Sequence, residues 1–438
     1  MLNIQTVTVI GVTGTMGANV AGIFASFGDA KVFCVGRDLE KVNQTLPRIV
    51  HSVRAGSIAR NLIPADLSML EACAAQSDLI FESVREDMSL KKEIARRVGS
   101  AMPAHALSCT GSSGLSISEL AGCFPEALRG RFYGVHLFNP PYVLPLCELT
   151  PGPDADPGLT EEVGRYLREK LLRTVVQVKD SPAFLANRIG FQFINMALQY
   201  AERYRDNGGI DFMDAILGPF TGRAMAPLIT SDFVGLDVHQ AIVDNLYNRT
   251  DDYARETFRL PDFARKLIAE GKLGRKTQGG LYQQVRYENG FRRQTVYDLS
   301  AGTYRDVIPY AFPFAERMKR CLEEGDYQKA FETLIGNRSR EAEICLSFLL
   351  QYMLYAFRTG LEVGGSVQAA DDVMAEGFHW CPPLALYEAL SAVTDVPGLV
   401  RERLPDICAR VDTDRLLREV RPSGYDYRRY FKSGRREK

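Results

Sequence analysis

The sequence of 438 residues has little of what several protein classes require. Lysine and arginine together (53) nearly balance aspartate and glutamate (54), so the basic excess that is usual in nucleic-acid-binding proteins is missing. The apolar runs are shorter than the roughly 20 residues of a membrane-spanning helix. A strand pattern begins near Val7, so we expect no signal peptide before the fold. These features disfavour a nucleic-acid partner and a membrane protein.

The nine cysteines are scattered and include no CxxC pair. We therefore interpret them as the reduced thiols of a cytoplasmic protein rather than as a disulfide framework. His379 lies two residues from Cys381, but the further ligands that a metal centre needs are lacking there. The sequence predicts no metal site.

Short apolar runs alternate with helical patterns in the first third of the chain. This alternation predicts an α/β domain of the Rossmann type, with a doubly wound parallel sheet over residues 1–179. Its strand candidates are 6–10, 31–35, 78–81, 106–108, 133–137 and 143–149.

Beyond residue 180 the pattern becomes helical, which predicts all-α domains after the sheet. The predicted segments are a first helical domain at 180–283, a polar linker and connecting segment at 284–340, a second helical region at 341–424 and a loose basic tail at 425–438.

The two helical regions share an order of features. Each has a long helix, an acidic helix start, a glycine turn and a proline-led helix, so that Asp214 and Pro227 match Asp371 and Pro383. The shared order favours a diverged repeat, although two helical segments can also resemble each other by chance.

A glycine-rich turn joins the first strand to the first helix. Gly11, Gly14 and Gly17 follow a GxxGxxG spacing, with Thr15 and Met16 between the last two. Glycine lets the backbone approach a pyrophosphate, whose negative charge is attracted by a helix N-terminus. The spacing alone fits any strand–turn–helix, but its place after the first strand predicts a dinucleotide site.

The end of the second strand indicates which dinucleotide binds. NAD-binding folds usually carry an acidic residue there, which bonds to the ribose 2′-hydroxyl. Gly36 and Arg37 take that place and leave room and positive charge for the 2′-phosphate of NADP. Arg37 could instead be solvated or stack on the adenine of NAD, and Asp38 keeps NAD open. The predicted cofactor is NAD or NADP.

One histidine is a candidate general base. His136 ends an apolar strand, and Glu148 lies on the next strand, after the turn at Pro140 and Pro141. A carboxylate that contacts the imidazole fixes its tautomer, so that the other ring nitrogen can take a hydroxyl proton. A lone histidine at a strand end is often structural, but the paired glutamate favours the catalytic interpretation.

Together these residues resemble the 3-hydroxyacyl-CoA dehydrogenase family. Segments 9–17, 81–87, 134–140 and 180–188 carry the resemblance, and 274–282 matches the segment that usually closes the family's first helical domain. The resemblance implies a Rossmann-type domain followed by a 6-phosphogluconate-dehydrogenase-like helical domain. The second helical region resembles the longer, domain-duplicated members linked to β-oxidation, here without a hydratase domain.

The resemblance also assigns substrate-site roles by position. His136 matches the catalytic base, Glu148 its carboxylate partner, and Asn187 the asparagine that helps to position the reacting oxygen. The family's substrate-binding serine lies in the loop after the fourth strand, where Ser112 is the first choice and Ser113 the reserve.

Glu86 and Lys91 match residues that contact the nicotinamide half of the cofactor. Three departures from the family pattern are a longer glycine turn, Gly36 in place of an acid, and an inserted glycine in the serine loop. The first two leave the cofactor identity open, and the third leaves the acyl-chain specificity open.

The predicted function is therefore hydride transfer between a 3-hydroxyacyl-CoA and a nicotinamide cofactor. Alternatives are a dehydrogenase of a free polar hydroxy acid or of an acyl-carrier-protein thioester, and a non-catalytic NADP-binding sensor or structural protein. The second helical repeat is expected to pack on the first as an internal pseudo-dimer, with further oligomerisation left open.

Overall fold

The computed structural model describes residues 2–277, 279–286 and 292–433. The chain divides into two compact units, residues 1–184 and 185–438. Residues 287–291 of the predicted linker and 434–438 of the predicted tail lie outside the described residues. The finer domain boundaries stay predictions.

The first unit is built around one large sheet. Its strands among the described residues are β1 (Thr6–Ile10), β2 (Lys31–Gly36), β3 (Leu62–Asp66), β4 (Leu79–Glu82), β5 (Leu107–Thr110), β6 (Phe132–Leu137), β7 (Leu146–Pro151) and β8 (Thr174–Gln177). They lie in the order β3-β2-β1-β4-β5-β6-β7-β8. The neighbours β6 and β7 run antiparallel, and the other pairs are parallel. This is the Rossmann-type sheet that the sequence predicts.

Helices cover the sheet, so its central strands are buried on both faces. Val7 and Val9 of β1 and Val32 of β2 have no exposed surface, as expected for parallel strands under helices. The helices of this unit are α1 (Thr15–Ser26), α2 (Leu39–Val53), α3 (Leu70–Ala74), α4 (Met88–Ala101), α5 (Ile117–Ala121), α6 (Glu126–Arg129) and α7 (Pro157–Glu169).

The sequence does not predict the two edge strands, β3 and β8. β3 contains Pro64, and β8 buries only Val176 among its four residues, so neither carries a strong apolar pattern. The strand predicted at 143–149 begins later, at Leu146, and Val143 is exposed.

The second unit is mainly helical. A π-helical turn, Met374–Phe378, interrupts its regular helices. The α-helices of this unit among the described residues are α8 (Ala186–Arg203), α9 (Ile210–Ile216), α10 (Pro227–Val234), α11 (Leu236–Arg249), α12 (Asp262–Ala269), α13 (Pro313–Glu323), α14 (Tyr327–Gly336), α15 (Arg340–Val363), α16 (Val367–Val373), α17 (Pro383–Ser391), α18 (Val396–Arg403), α19 (Pro405–Cys408) and α20 (Thr413–Arg418).

The described part of 284–340 is folded and is not a linker. The strands β9 (Tyr282–Arg286), β10 (Arg292–Asp298) and β11 (Thr303–Asp306) form an antiparallel sheet, and α13 and α14 follow it. The polar composition is misleading because β10 is exposed at its start and buried further along. On β10, Val296 and Tyr297 are buried, whereas Arg293 and Gln294 are exposed.

The helix α15 is a core helix of the second unit. It is long and apolar enough to cross a membrane by length and composition, but 78% of its most apolar window is buried within the protein. Phe348 and Tyr352 of this helix pack edge-to-face on Phe193 of α8. Its apolar residues therefore reflect packing between the two helical regions.

A buried aspartate joins matching elements in each helical region. Asp214 accepts a hydrogen bond from the N–H of Leu228, at the start of α10, over 2.8 Å. Asp371 accepts one from the N–H of Leu384, at the start of α17, over 2.7 Å. Burial raises the pKa of each carboxyl group to about 7.

A second acid repeats in the same way. Asp232 and Glu388 are each the sixth residue of their helices, α10 and α17. Asp232 accepts a bond from the N–H of Tyr282, and Glu388 accepts one from the N–H of Ser423, each over 2.8 Å. The two helical regions thus share one pattern of hydrogen bonds.

The expectation of a loose basic tail at 425–438 is wrong for its described part. The hydroxyl of Tyr425 donates to Asp372 over 3.0 Å, and Phe431 is buried against the ring of Phe331. Aromatic residues between the basic ones anchor this segment, which the charge pattern alone conceals.

Candidate active site

The glycine turn requires residues without side chains. Gly11 has φ of +90°, and a Cβ atom there would lie 2.4 Å from the carbonyl oxygen of Ser83. A Cβ atom on Gly17 would lie 2.3 Å from the carbonyl oxygen of Gly11. The turn therefore depends on glycine for close approach of backbone to backbone.

The N-terminus of α1 fits a dinucleotide pyrophosphate. Gly14 precedes the helix without a capping side chain, and Thr15 and Met16 form its first turn. Gly14 and Thr15 are exposed, so the first N–H groups of the helix are open to a ligand. Three of the predicted cofactor residues thus lie together in one turn.

The end of β2 carries a tightly packed glycine. A Cβ atom on Gly36 would lie 2.5 Å from Cγ2 of Val42, so an acidic side chain does not fit there without movement. Asp38 caps α2 and accepts hydrogen bonds from the N–H groups of Glu40 and Lys41, over 3.0 and 3.2 Å. Arg37 is exposed beside them.

His136 and Glu148 are direct cross-strand partners on β6 and β7. Nδ1 of His136 lies 2.7 Å from Oε2 of Glu148, and the side chains are 6% and 0% exposed. The carboxylate holds the hydrogen on Nδ1, which leaves Nε2 as the ring nitrogen that can accept a proton. The predicted contact between the two residues is present.

Two aromatic rings surround the imidazole within the first unit. The ring centres of Phe138 and Phe184 lie 4.5 and 5.6 Å from that of His136. Such apolar surroundings exclude water and strengthen the electrostatic effect of the carboxylate on the ring.

Ser112 is fully buried in the loop after β5. Its hydroxyl donates to Oε1 of Glu86 over 2.6 Å, and the same oxygen accepts the backbone N–H of Ser113 over 2.8 Å. The structure therefore joins two residues that the sequence assigns to substrate and cofactor. Ser113 takes part through its backbone.

Lys91 is joined to an acid that the sequence analysis does not single out. Its ammonium lies 2.9 Å from both carboxylate oxygens of Glu82 and 3.4 Å from Oε2 of Glu86. Glu82 ends β4, and the side chain of Lys91 is only 1% exposed. The signal was available in the segment 81–87, where Glu82 follows an apolar strand.

These groups lie at one edge of the sheet. β1, β4, β5 and β6 run parallel, and Gly11, Glu82, Ser112 and His136 lie at or just beyond their carboxyl ends. Ligands of open α/β sheets bind at this edge. Asn187 belongs to the second unit, where it is the second residue of α8 and is 7% exposed.

Two family models match consecutive parts of the chain. The model of the 3-hydroxyacyl-CoA dehydrogenase NAD binding domain matches residues 6–181, and that of the 3-hydroxyacyl-CoA dehydrogenase C-terminal domain matches residues 184–284. Together they cover more than half of the chain.

Curated relatives agree with these matches. A probable 3-hydroxyacyl-CoA dehydrogenase of Bacillus subtilis is 28% identical over 343 residues, which are 75% of this chain and 42% of that protein. One of Deinococcus radiodurans is 28% identical over 302 residues, 66% of this chain and 85% of that protein. The chain thus matches less than half of the Bacillus protein and most of the Deinococcus protein.

Solved structures show the same fold. The 3-hydroxybutyryl-CoA dehydrogenase of Escherichia coli K12 aligns with a TM-score of 0.66 at 20% identity, covering 95% of this chain and 99% of that one. The (S)-3-hydroxybutyryl-CoA dehydrogenase of Ralstonia eutropha aligns with a TM-score of 0.51 at 26% identity, covering 63% and 98%. The chain belongs to the 3-hydroxyacyl-CoA dehydrogenase family of oxidoreductases, and its N-terminal domain is an NAD-binding domain.

Proposed function

We propose that the protein interconverts a 3-hydroxyacyl-CoA and a 3-oxoacyl-CoA, with the buried pair of His136 and Glu148 as its general base. The observation that carries this proposal is the 2.7 Å contact between them at the carboxyl edge of a dinucleotide-binding sheet. Bound NAD supplies the carbon that accepts or returns the hydride.

His136 takes the hydroxyl proton at Nε2 as the hydride leaves C3 of the substrate. Glu148 faces the opposite ring nitrogen and stabilises the imidazolium that forms. In the reverse direction His136 returns the proton to the carbonyl oxygen, so one pair serves both directions.

The reacting oxygen also needs hydrogen-bond donors that match its developing charge. Ser112 is assigned this role because it lies in the loop after β5, at the edge that also carries His136. Its one hydroxyl proton, which is donated to Glu86, turns to the reacting oxygen when the substrate binds. Asn187 is assigned the same oxygen by its position in the family pattern. Loss of either donor is expected to lower kcat more than it raises KM.

The glycine turn and the exposed start of α1 support NAD binding by Gly11, Gly14, Thr15, Met16 and Gly17. Glu86 and Lys91 are assigned to the nicotinamide half. Use of NADP in addition stays part of the proposal, because Arg37 is exposed beside Gly36 and can meet a 2′-phosphate.

The second helical region is proposed to be a diverged copy of the first that packs on it as an internal pseudo-dimer. The matching bonds of Asp214 and Asp371 support this, as does the packing of α15 on α8. Sedimentation of the full chain, which measures its oligomeric state, tests this packing. A pseudo-dimer does not require a partner subunit on the surface where the two helical regions meet.

The named substrates of relatives favour CoA thioesters. The E. coli relative that is 29% identical over 302 residues is a 3-hydroxyadipyl-CoA dehydrogenase. A free hydroxy acid and a carrier-protein thioester are the alternative substrates. A non-catalytic role is disfavoured because the register pairs His136 with Glu148.

The experiment is an assay of the purified full chain with NADH and three substrates: acetoacetyl-CoA, an acetoacetyl carrier-protein thioester and free acetoacetate. Oxidation of NADH is followed by its absorbance. We expect turnover with the CoA thioester. Turnover restricted to free acetoacetate would contradict the proposal, and so would an absence of turnover with all three.

A further inference from the structure

Ser112 belongs to a closed ring of hydrogen bonds and one ion pair within the first unit. Its members are Glu82, Lys91, Glu86, Ser112 and Thr110, from β4, α4, β5 and the loops after the two strands. The contacts of the ring are between side chains, except for one to the backbone N–H of Ser112. Four of the five residues are buried.

One arm of the ring reaches the hydroxyl of Ser112. Glu82 holds the ammonium of Lys91 with both carboxylate oxygens at 2.9 Å. Lys91 in turn lies 3.4 Å from Oε2 of Glu86, whose other oxygen accepts the Ser112 hydroxyl over 2.6 Å. Glu82 therefore acts on the position of the serine hydroxyl through the ammonium of Lys91 and the carboxylate of Glu86.

The other arm reaches the backbone of Ser112. Thr110 is the cross-strand partner of Glu82 in the parallel pair of β4 and β5. Its hydroxyl donates to Oε2 of Glu82 over 2.7 Å and accepts the N–H of Ser112 over 3.2 Å. Both arms start from the same carboxylate.

Hydrogen bonds define the shape of the loop that carries Ser112, since Oγ of Ser112 also accepts the N–H groups of Gly114 and Leu115 over 3.4 and 3.0 Å. Residues 111–116 belong to no helix or strand. A residue in such a loop is positioned by its hydrogen bonds, because no regular structure fixes its backbone.

Stability alone does not account for the ring. A buried ion pair such as that of Lys91 with Glu82 generally gains little over apolar side chains of similar volume, because both charges lose their hydration. Buried networks in which every group is bonded do, however, fix side-chain positions closely. Because the ring lies at the carboxyl edge of the sheet, the side chains that it fixes are close to the site of the proposed reaction.

We propose that Glu82 and Thr110 are positioning residues, which hold the Ser112 oxygen where its proton can turn from Glu86 to the reacting oxygen of the substrate. This role rests on the proposed function. Neither residue touches the substrate. They act through Lys91, Glu86 and the N–H of Ser112.

The primary test is Thr110→Val, which removes one hydroxyl, keeps the side-chain shape and leaves Lys91 paired with Glu82. We expect kcat for acetoacetyl-CoA to fall about tenfold, the value of one lost hydrogen bond, with KM for NADH nearly unchanged. Thr110→Ser restores the hydroxyl and should restore kcat. Glu82→Gln should lower kcat in the same sense if the variant folds.

Hydrogen exchange of the backbone amides of residues 111–115 gives a readout that does not depend on activity. Exchange should be about tenfold faster in Thr110→Val and unchanged in Thr110→Ser. The matched control is Thr8→Val, since Thr8 is a fully buried strand threonine whose hydroxyl lies 2.8 Å from that of Ser77, outside the ring.

The outcomes separate this role from the proposed function. Normal exchange of residues 111–115 in Thr110→Val would overturn the positioning role, and so would an equal loss of kcat in Thr8→Val. If the unaltered protein turned over no thioester, the proposed function would fail. Faster exchange in Thr110→Val, but not in Thr110→Ser or Thr8→Val, would then still support the conclusion that the ring positions Ser112.

Discussion

His136 and Glu148 face each other across β6 and β7, with Nδ1 of the imidazole 2.7 Å from Oε2 of the carboxylate. The strand register fixes this pair, because the two residues are opposite each other in an antiparallel ladder and not on a mobile loop. A base that is held in this way offers the same ring nitrogen, Nε2, to the substrate in each turnover.

Glu148→Gln should lower kcat by about 10²-fold or more, because a neutral amide cannot stabilise the imidazolium that forms on His136. Turnover of acetoacetyl-CoA with NADH measures the effect. Glu161→Gln is the control, since Glu161 pairs with Arg168 on the exposed face of α7. Equal activities of the two variants would contradict the assigned role.

Arg188→Met should destabilise the second unit by about 3–5 kcal/mol, because it removes the cation that pairs with the buried carboxylate of Asp252. The guanidinium lies 2.7 Å from Asp252 and 3.2 Å from Glu362, and it donates to the hydroxyl of Tyr355 over 3.0 Å. Since Arg188 lies on α8 and Glu362 on α15, the loss also tests how firmly the two helical regions are joined. Urea unfolding measures it.

The control for this change is Arg265→Met. Arg265 pairs with Asp244 at 2.7 Å, but both side chains are more than 30% exposed. A surface pair contributes about 0–1 kcal/mol, so this variant should unfold nearly as the unaltered protein does. Similar losses in the two variants would show that burial of the pair does not matter.

Asp371→Asn should remove part of the pH dependence of stability. Burial raises the pKa of Asp371 from 3.8 to about 7 in the folded protein. Between these values the folded state holds a proton that the unfolded state has released, so the free energy of unfolding falls as pH rises. The asparagine keeps an oxygen for the N–H of Leu384 but does not ionise.

Urea unfolding at pH 5 and pH 8 tests this expectation. From pH 5 to pH 8, the free energy of unfolding of the unaltered protein should fall by on the order of 2 kcal/mol relative to that of Asp371→Asn. A constant difference between the two proteins would show that Asp371 does not titrate in this range.

Arg37→Gln should distinguish the two dinucleotides. If the arginine meets a 2′-phosphate, KM for NADPH rises several-fold, while KM for NADH stays nearly constant. Arg48→Gln, at an exposed position further along α2, is the control. An equal rise for both cofactors would indicate stacking on the adenine, and no change for either would indicate a solvated side chain.

Much of the first unit could be predicted because its central strands are buried on both faces and alternate with helices. The glycine turn was predictable for a different reason: the backbone approaches Gly11 and Gly17 so closely that a residue with a side chain does not fit. The edge strand β3 was missed because Pro64 interrupts its apolar pattern.

The pairing of His136 with Glu148 was predictable because they lie on successive strands joined through the turn at Pro140 and Pro141, so that antiparallel neighbours are expected. The ring around Ser112 was not, because it joins residues up to 28 positions apart whose contact depends on the order of β4 and β5. In the second unit, β10 and the segment after Ser423 were misread because their charges face solvent while a few aromatic residues carry the packing.

The central claim is tested most directly by His136→Gln, with kcat for acetoacetyl-CoA and the dissociation constant of NADH measured on the same preparation. His105→Gln is the matched control, because His105 is 69% exposed beside Asp78. We predict that kcat falls by about 10²–10⁴-fold in His136→Gln alone, with NADH binding preserved. A kcat close to that of the unaltered protein would contradict the account.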